Sequence, residues 1–387
     1  MLEHSGLICF SIDSKGMVRY NEFQCGKCNV EVAEFCTDTA QKEYHIMLHP
    51  SAEENFEEQY KALQNALEEF IKNEAPMAVP VFMRWFLSDS VSQQEMVVSG
   101  QHTCAVSIVE QPPLDGTKVT LWVWLADGAT ARQEADGMWT ADFCGARHMW
   151  TTGSSRNEGD SEMQTSELFR SYSRMLEMHG CNLKENCIRT WLFVNDIDVN
   201  YKGLVKGRRE LFEQQGLTPQ THYIASTGIA GKTADPDSKV LMDTYAIAGI
   251  SEEKVRFLKG STHLNPTHEY GVTFERGTSI THADRSHVFL SGTASIDTKG
   301  EIVHPGDITG QTLRMIENVG VLLEEGGCTF GDVMHMIVYL RDMNDYDDVY
   351  DMIMERFPEH PKVFLLAPVC RPGWLVEMEC MAIKQNQ

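Results

Sequence analysis

Apolar positions along the chain follow two alternating rhythms, one of period two and one of period three to four, and the alternation recurs in the same order. Residues 288–296 read VFLSGTASI, a strand-like run. An amphipathic helix follows, then the turn Gly327-Cys328, the strand-bearing segment TFGDVMHMIVYLRDM, a further helix, and the closing strand LVEMECMAI at 375–383. An earlier stretch has the same plan. HMWTTGS at 148–154 leads through a helix to Gly180-Cys181, then NLKENCIRTWLFVNDI, a helix, and KVLMDTYAIA at 239–248. Repetition at this spacing marks duplicated structural units, each burying an apolar face against a neighbour.

A third copy is expected at the N-terminus. In residues 51–73, Phe56, Tyr60, Leu63, Leu67 and Phe70 recur at steps of four and three, one face of a helix. Ser51 with Glu54 has the spacing of a capping box. VPVFMRWFLSD at 79–89 and KVTLWVWLA at 118–126 read as its strands, with no clear second helix between them. The expected division is 1–140, 141–260 and 261–387, with the polar stretch from Gly128 to Gly137 as a break. Residues 265–287 read as a hairpin turning around Arg276-Gly277. Each unit then has the order strands, helix, strand, helix, strand. That predicts an α+β fold, with helices packed on one face of a mixed β-sheet and the other face left to be covered by the other units.

Bulk composition narrows the function. The formal charge of −23 repels phosphate backbones and disfavours nucleic-acid partners. No apolar run approaches the roughly 20 residues that span a bilayer. The N-terminal MLEHSGLICFSID has no basic segment followed by a long apolar one, so no signal peptide is expected. Eleven cysteines, an odd number, fit free thiols in a reducing cytoplasm.

Candidate chemistry concentrates near the C-terminus. Cys25-Gly-Lys-Cys28 lacks the second paired motif of a structural zinc site, and no nucleotide-binding glycine motif occurs. In Leu375-Val376-Glu377-Met378-Glu379, apolar and acidic residues alternate, placing both glutamates on one strand face. With Pro372 set against Pro236, Glu379 falls opposite Asp243, but Glu377 falls opposite Leu241. An acid present in one unit and missing from its counterpart is not demanded by the fold. Cys370 and Arg371 stand just before it. Arg189 lies inside an apolar strand, where a charge needs a partner, either an anionic ligand or a structural ion pair. Arg208 flanks the apolar face of the helix YKGLVKGRRELFEQQG. Guanidinium groups suit carboxylates because their planar fork binds both oxygens.

On these residues the third unit, VFLSGTASI with HPGD, GGCTFGDVMHMIVYLRDMNDY and VEMECMAI, resembles the RidA (YjgF) superfamily. Its members form trimers with clefts between subunits. The segments RTWLFVNDID, YKGLVKGRRELF, STGI, YGVTFERG and VCRPGWLVEME resemble the chorismatases, in which tandem units reproduce that trimer within one chain. The chain departs from both patterns. RidA deaminases carry an arginine fifteen residues before the strand glutamate, where this chain has Lys362. Leu192-Phe193 replaces a typical Asn-Tyr of chorismatases.

The resemblance implies a monomeric, intrachain pseudo-trimer acting on a small anionic substrate such as chorismate, with no metal and no organic cofactor. It implies Glu377 as a protonated acid that transfers its proton to the enolpyruvyl methylene carbon, leading to release of pyruvate. Arg371, Arg208 and Arg189 would oppose the two carboxylates. Backbone N–H groups at Thr227-Gly228 and at Gly292, Thr293 and Ala294 would approach the ligand. Cys370 would line the ring side, resembling the branch that makes hydroxybenzoate. An enamine deaminase and a non-catalytic binding protein are the alternatives.

Overall fold

The computed structural model describes residues 18–37 and 41–386. The stretch MLEHSGLICFSID, and with it the signal-peptide expectation, lies outside them. The first sheet draws on β1 (Val18–Cys25), β2 (Cys28–Cys36), β3 (Lys42–Pro50), β4 (Ala78–Leu87), β5 (Ala105–Glu110) and β6 (Val119–Asp127), with helices α1 (Phe56–Asn73) and α2 (Ser90–Val98). The second holds β7 (Thr130–Gln133), β8 (Trp139–Phe143), β9 (Ala146–Ser155), β10 (Cys187–Val194), β11 (Ala225–Ala230) and β12 (Val240–Ala248), with α3 (Ser161–Met178), α4 (Leu183–Asn186) and α5 (Ile197–Gln214). The third holds β13 (Val255–Leu258), β14 (Gly277–Thr281), β15 (Arg285–Ala294), β16 (Val333–Leu340), β17 (Lys362–Leu366) and β18 (Val376–Gln385), with α6 (Ile308–Glu325) and α7 (Tyr346–Arg356).

All three sheets have one topology. The orders are β1-β2-β3-β6-β4-β5, β7-β8-β9-β12-β10-β11 and β13-β14-β15-β18-β16-β17. The last strand of each unit inserts antiparallel into the middle of its sheet, and one parallel pair closes the edge. A central strand is covered on both faces, which is why β12 reads as nearly continuous apolar sequence. Val240, Met242 and Ala246 pack under the helices of the second unit, whereas Leu241, Tyr245 and Ile247 belong to a core shared with the other sheets.

The shared core closes a ring. Arg84 of the first unit pairs with Asp243 of the second, Arg189 of the second with Glu379 of the third, and His335 of the third meets His45 of the first. Isolated bridges Glu110↔Lys232, Ile229↔Val369 and Pro113↔Leu365 fasten the same three seams. Trp122, Trp124, Trp150, Trp191, Tyr245 and Phe289 fill the centre. Three units therefore form a pseudo-trimer within one chain. Among the described residues, no helix is long and apolar enough to cross a membrane.

Several local expectations change. The first unit does have a second helix, α2. Its sequence SVSQQEMVV has no apolar face, and Asp89 starts it by accepting from the Val91 N–H. Helix α1 is capped by Asn55, which accepts from Glu58 N, rather than by Ser51. The segment before β15 turns at residues 282–284, not at Arg276-Gly277, because Gly277 already pairs with Leu290 in the ladder. β7 runs through the polar stretch 128–137 and joins the second sheet. Cys25 and Cys28 face each other across the β1–β2 turn, where Gly26 takes a φ of 58°.

Candidate active site

β18 carries Glu377 and Glu379 on the face toward the shared core, as the alternation requires. Both are buried rather than solvated, at 5% and 2% exposure. Ladder register places Val376 opposite Leu340, Val240 opposite Val194 and Val119 opposite Leu87. Counting one residue on, Glu377 corresponds to Leu241 and Thr120, so the acid occurs in one unit of three. β15 bulges between Leu290 and Thr293, opposite this point. The bulge brings Gly292 against the Glu377 carboxyl, and a Cβ there would lie 2.7 Å from Glu377 Cδ. Only glycine leaves room.

The carboxyl faces a narrow cleft on the seam between the second and third units. The second unit contributes Tyr201 and Arg208 from α5, and Ser226 and Gly228 from β11. The third contributes Phe274, Arg276, Gly292 and Ala294, with Cys370, Arg371 and Trp374 from the loop before β18. Tyr201 and Arg208 are seven residues apart, two turns of one helix face. Gly228 seats the Tyr201 ring, since a Cβ there would lie 3.1 Å from Tyr201 Cε2. Arg208 donates from Nε to Thr273 Oγ1 at 3.1 Å and from Nη1 to Ser226 Oγ at 3.3 Å. Arg276 donates to the backbone and side-chain oxygens of Asn265 at 3.1 and 3.2 Å, while Arg371 lies over the Trp374 ring at 5.0 Å.

Burial and then the neighbouring Glu379 push the Glu377 carboxyl up to about 8, against the pull of Arg189 and Arg276. A carboxylic acid that is neutral at pH 7 and faces three guanidinium groups can donate a proton while the cations hold anionic groups. Burial, and secondarily Glu377, push the Cys370 thiol up to about 12. At neutral pH it is a small apolar wall with a weak donor.

Of the residues singled out in the sequence, Glu377, Cys370, Arg371, Arg208, Gly228, Gly292 and Ala294 meet in this cleft. Arg189, Thr227 and Thr293 do not line it. Arg189 is committed to Glu379 at 2.7 Å, with Ser291 Oγ at 3.1 Å. This is the structural ion pair that was the alternative to ligand binding. The Gly292 N–H is spent on Thr227 Oγ1 at 2.9 Å, and Thr293 and Ala294 sit in the ladder opposite Met378 and Glu377. The Gly292 amide is therefore committed within the protein, whereas Gly228 lies on the edge strand β11 and lines the cleft.

Arg276, Tyr201, Ser226 and Trp374 were missed. The seven-residue spacing of Tyr201 and Arg208 was a usable signal. Arg276 was hidden inside the expected turn. Lys362 is buried on the third-to-first seam, its Nζ 2.8 Å from His360 O and 3.9 Å from Glu31. By register Lys362, opposite Met336, corresponds to Ser226, opposite Thr190. The residue facing Glu377 from that strand position is thus a serine.

One other cluster has metal-ligating atoms within 4.8 Å of one another among the described residues: Glu43, Cys144 and His287. It lies away from the cleft, and Arg285 stands 2.8 Å from the same Glu43 oxygen that His287 contacts. That guanidinium already supplies the local positive charge.

Fold and cleft define a three-unit RidA-type protein with its candidate site on a seam between units. The chain belongs to the RutC family: a RutC family protein of Pyrococcus abyssi is 40% identical over 101 residues, covering 25% of this chain and 79% of that relative. The family model described as endoribonuclease L-PSP matches residues 279–384. A chorismatase of Streptomyces rapamycinicus is 27% identical over 233 residues, 54% of this chain and 67% of that protein. A chorismatase crystal structure shares the fold, with a TM-score of 0.63 at 21% identity over 78% of this chain and 92% of that one.

Proposed function

We propose that this protein is a chorismatase-like enzyme that releases pyruvate from chorismate or a related enol ether. The observation that carries the reading is the Glu377 carboxyl, buried on the shared-core face of β18 and facing Arg208, Arg276 and Arg371 across a cleft, where burial pushes it up to about 8. An enol ether is cleaved by placing a proton on its terminal methylene carbon, which demands a strong acid held at short range. Glu377 supplies that proton, and the ether oxygen stabilises the resulting cation. Water adds to the ether-bearing carbon of that cation and gives a proton back to the Glu377 carboxylate. The bond between that carbon and the ring oxygen then breaks, the ring keeps the oxygen as a hydroxyl, and pyruvate departs. General acid catalysis of this kind is worth ~10²–10⁴-fold.

The three arginines oppose the substrate carboxylates, whose burial is otherwise too costly. Arg276 takes the place that the sequence reading assigned to Arg189. Cys370 and Tyr201 form the wall beside the acid, and a cysteine there favours the aromatic hydroxybenzoate branch. The neutral Ser226 opposite Glu377 argues against the enamine deaminase reading, which uses an arginine. Pyruvate release from chorismate, followed by coupling to lactate dehydrogenase, with chromatography of the ring product, tests the proposal. Turnover that disappears in Glu377→Gln supports it, and no turnover by the intact enzyme at high concentration overturns it.

A further inference from the structure

Glu379 does not line the cleft, yet the second unit grips it from three directions. Arg189 Nη2 lies 2.7 Å from Oε2, Trp191 Nε1 donates to Oε1 at 2.9 Å, and the Thr227 hydroxyl donates to Oε2. The direction of the last bond follows from counting. Thr227 Oγ1 also receives Arg189 Nη2–H at 2.6 Å and Gly292 N–H at 2.9 Å. Its two acceptor sites are filled by N–H donors, so its single proton goes to Glu379. The same oxygen therefore fixes a carboxylate on β18 and the bulge glycine that abuts Glu377.

The seam between the first and second units repeats this arrangement without the acid. Asp243 stands at the position of Glu379. Arg84 Nη2 donates to it at 3.1 Å, Ser107 Oγ donates as Thr227 does, and the bulge amide of Gly153 donates to it at 2.8 Å. Leu241 occupies the place of Glu377. The clasp is thus an architectural device of both seams, and only in the second does it lie beside a carboxyl that faces a cleft.

We propose that Glu379 is a positioning residue for Glu377: the anion that the second unit holds in place, two residues along the same strand face, keeps the Glu377 carboxyl in its neutral, proton-donating form. The proposal rests on the reading of Glu377 as the acid. The groups facing Glu377 make the direction clear. Tyr339 is opposite it on β16, Arg189 comes from β10, Tyr201 and Arg208 from α5, Arg276 from the segment before β14, and Cys370 and Arg371 from the loop before β18. Glu379 is the carboxylate among them, and the cations all favour an ionised Glu377. Without the Glu379 charge, burial alone opposes ionisation.

The test is infrared difference spectroscopy across pH, in which the carbonyl band of neutral Glu377 is isolated by subtracting Glu377→Gln spectra. In the intact protein the band should disappear with a midpoint near pH 8. In Glu379→Gln the midpoint should fall by at least about one pH unit, a loss of roughly tenfold in the neutral form above both midpoints. Asp243→Asn, which breaks the equivalent clasp, should leave it in place. An unchanged midpoint in folded Glu379→Gln overturns the proposal. If that variant does not fold, Thr227→Val decides the matter. It keeps the anion and removes one donor that offsets its charge, so the midpoint should rise, and an unchanged or lower midpoint overturns the proposal. Pyruvate release separates the two ideas. A shifted band with no turnover in any variant retains the electrostatic coupling and removes the chorismatase reading. Turnover whose alkaline limb fails to follow the band removes the positioning role.

Discussion

Glu377→Gln should abolish function and stabilise the protein at alkaline pH, because the property that makes Glu377 a good acid makes it a poor structural residue. In the unfolded chain its carboxyl ionises near 4.5, and in the fold only near 8. Between those values the native state keeps a proton that the unfolded state has released. Stability from this group is therefore fully present below pH 4.5 and lost as pH rises through 8. At about 1.4 kcal/mol per pH unit, the loss across this window is roughly 5 kcal/mol. Water penetration and relaxation would reduce that figure, so about 2–5 kcal/mol is the expected range. Glutamine fills the same space beside Gly292 and does not titrate. Denaturant unfolding of the two proteins at pH 5, 7 and 8.5 should show curves that diverge with pH, with the variant gaining up to that amount, while pyruvate release falls ~10²–10⁴-fold. Parallel pH dependence in the two proteins would refute the claim that the fold holds this carboxyl neutral, even if activity were lost.

Gly292→Ala should cost at least about 10²-fold in kcat, because its methyl group must displace the Glu377 carboxyl; wild-type turnover in this variant would show that the carboxyl position is not critical. The Cys370 thiol, pushed up to about 12, should resist iodoacetamide in the folded protein at pH 8, as checked by mass spectrometry of the alkylated peptide. Cys370→Ala should alter the ratio of ring products more than the rate of pyruvate release, which chromatography of the same reaction reports. Gly207→Ala drives a methyl group toward the Glu162 carbonyl and to 2.9 Å from Ser166 Oγ, so it should lose about 1–3 kcal/mol in denaturant unfolding. By shifting the helix that carries Tyr201 and Arg208, it should also raise KM.

The sequence by itself determined the repeated plan, because strand and helix periods are local and each copy writes them again. It also marked Glu377, since period two puts it on the same strand face as Glu379 while Leu241 in the matching unit shows that the fold does not require an acid there. Arg208 was legible for a similar reason, standing on the flank of a helix whose apolar face was plain. Helix α2 was not legible, because it is held by its cap and its place on the sheet rather than by an apolar stripe. Only the tertiary structure decided the partners. Arg189 and Glu379 are 190 residues apart along the chain, and nothing local to either says that they meet. Ring closure brings β10 and β11 against β15 and β18, turning Arg189 from a candidate ligand donor into the counter-ion behind the acid. It also sets Ser226, not Lys362, opposite Glu377. The chemistry of the cleft belongs to a seam, and a seam is fixed by which sheet faces pack together, an arrangement that no single segment encodes.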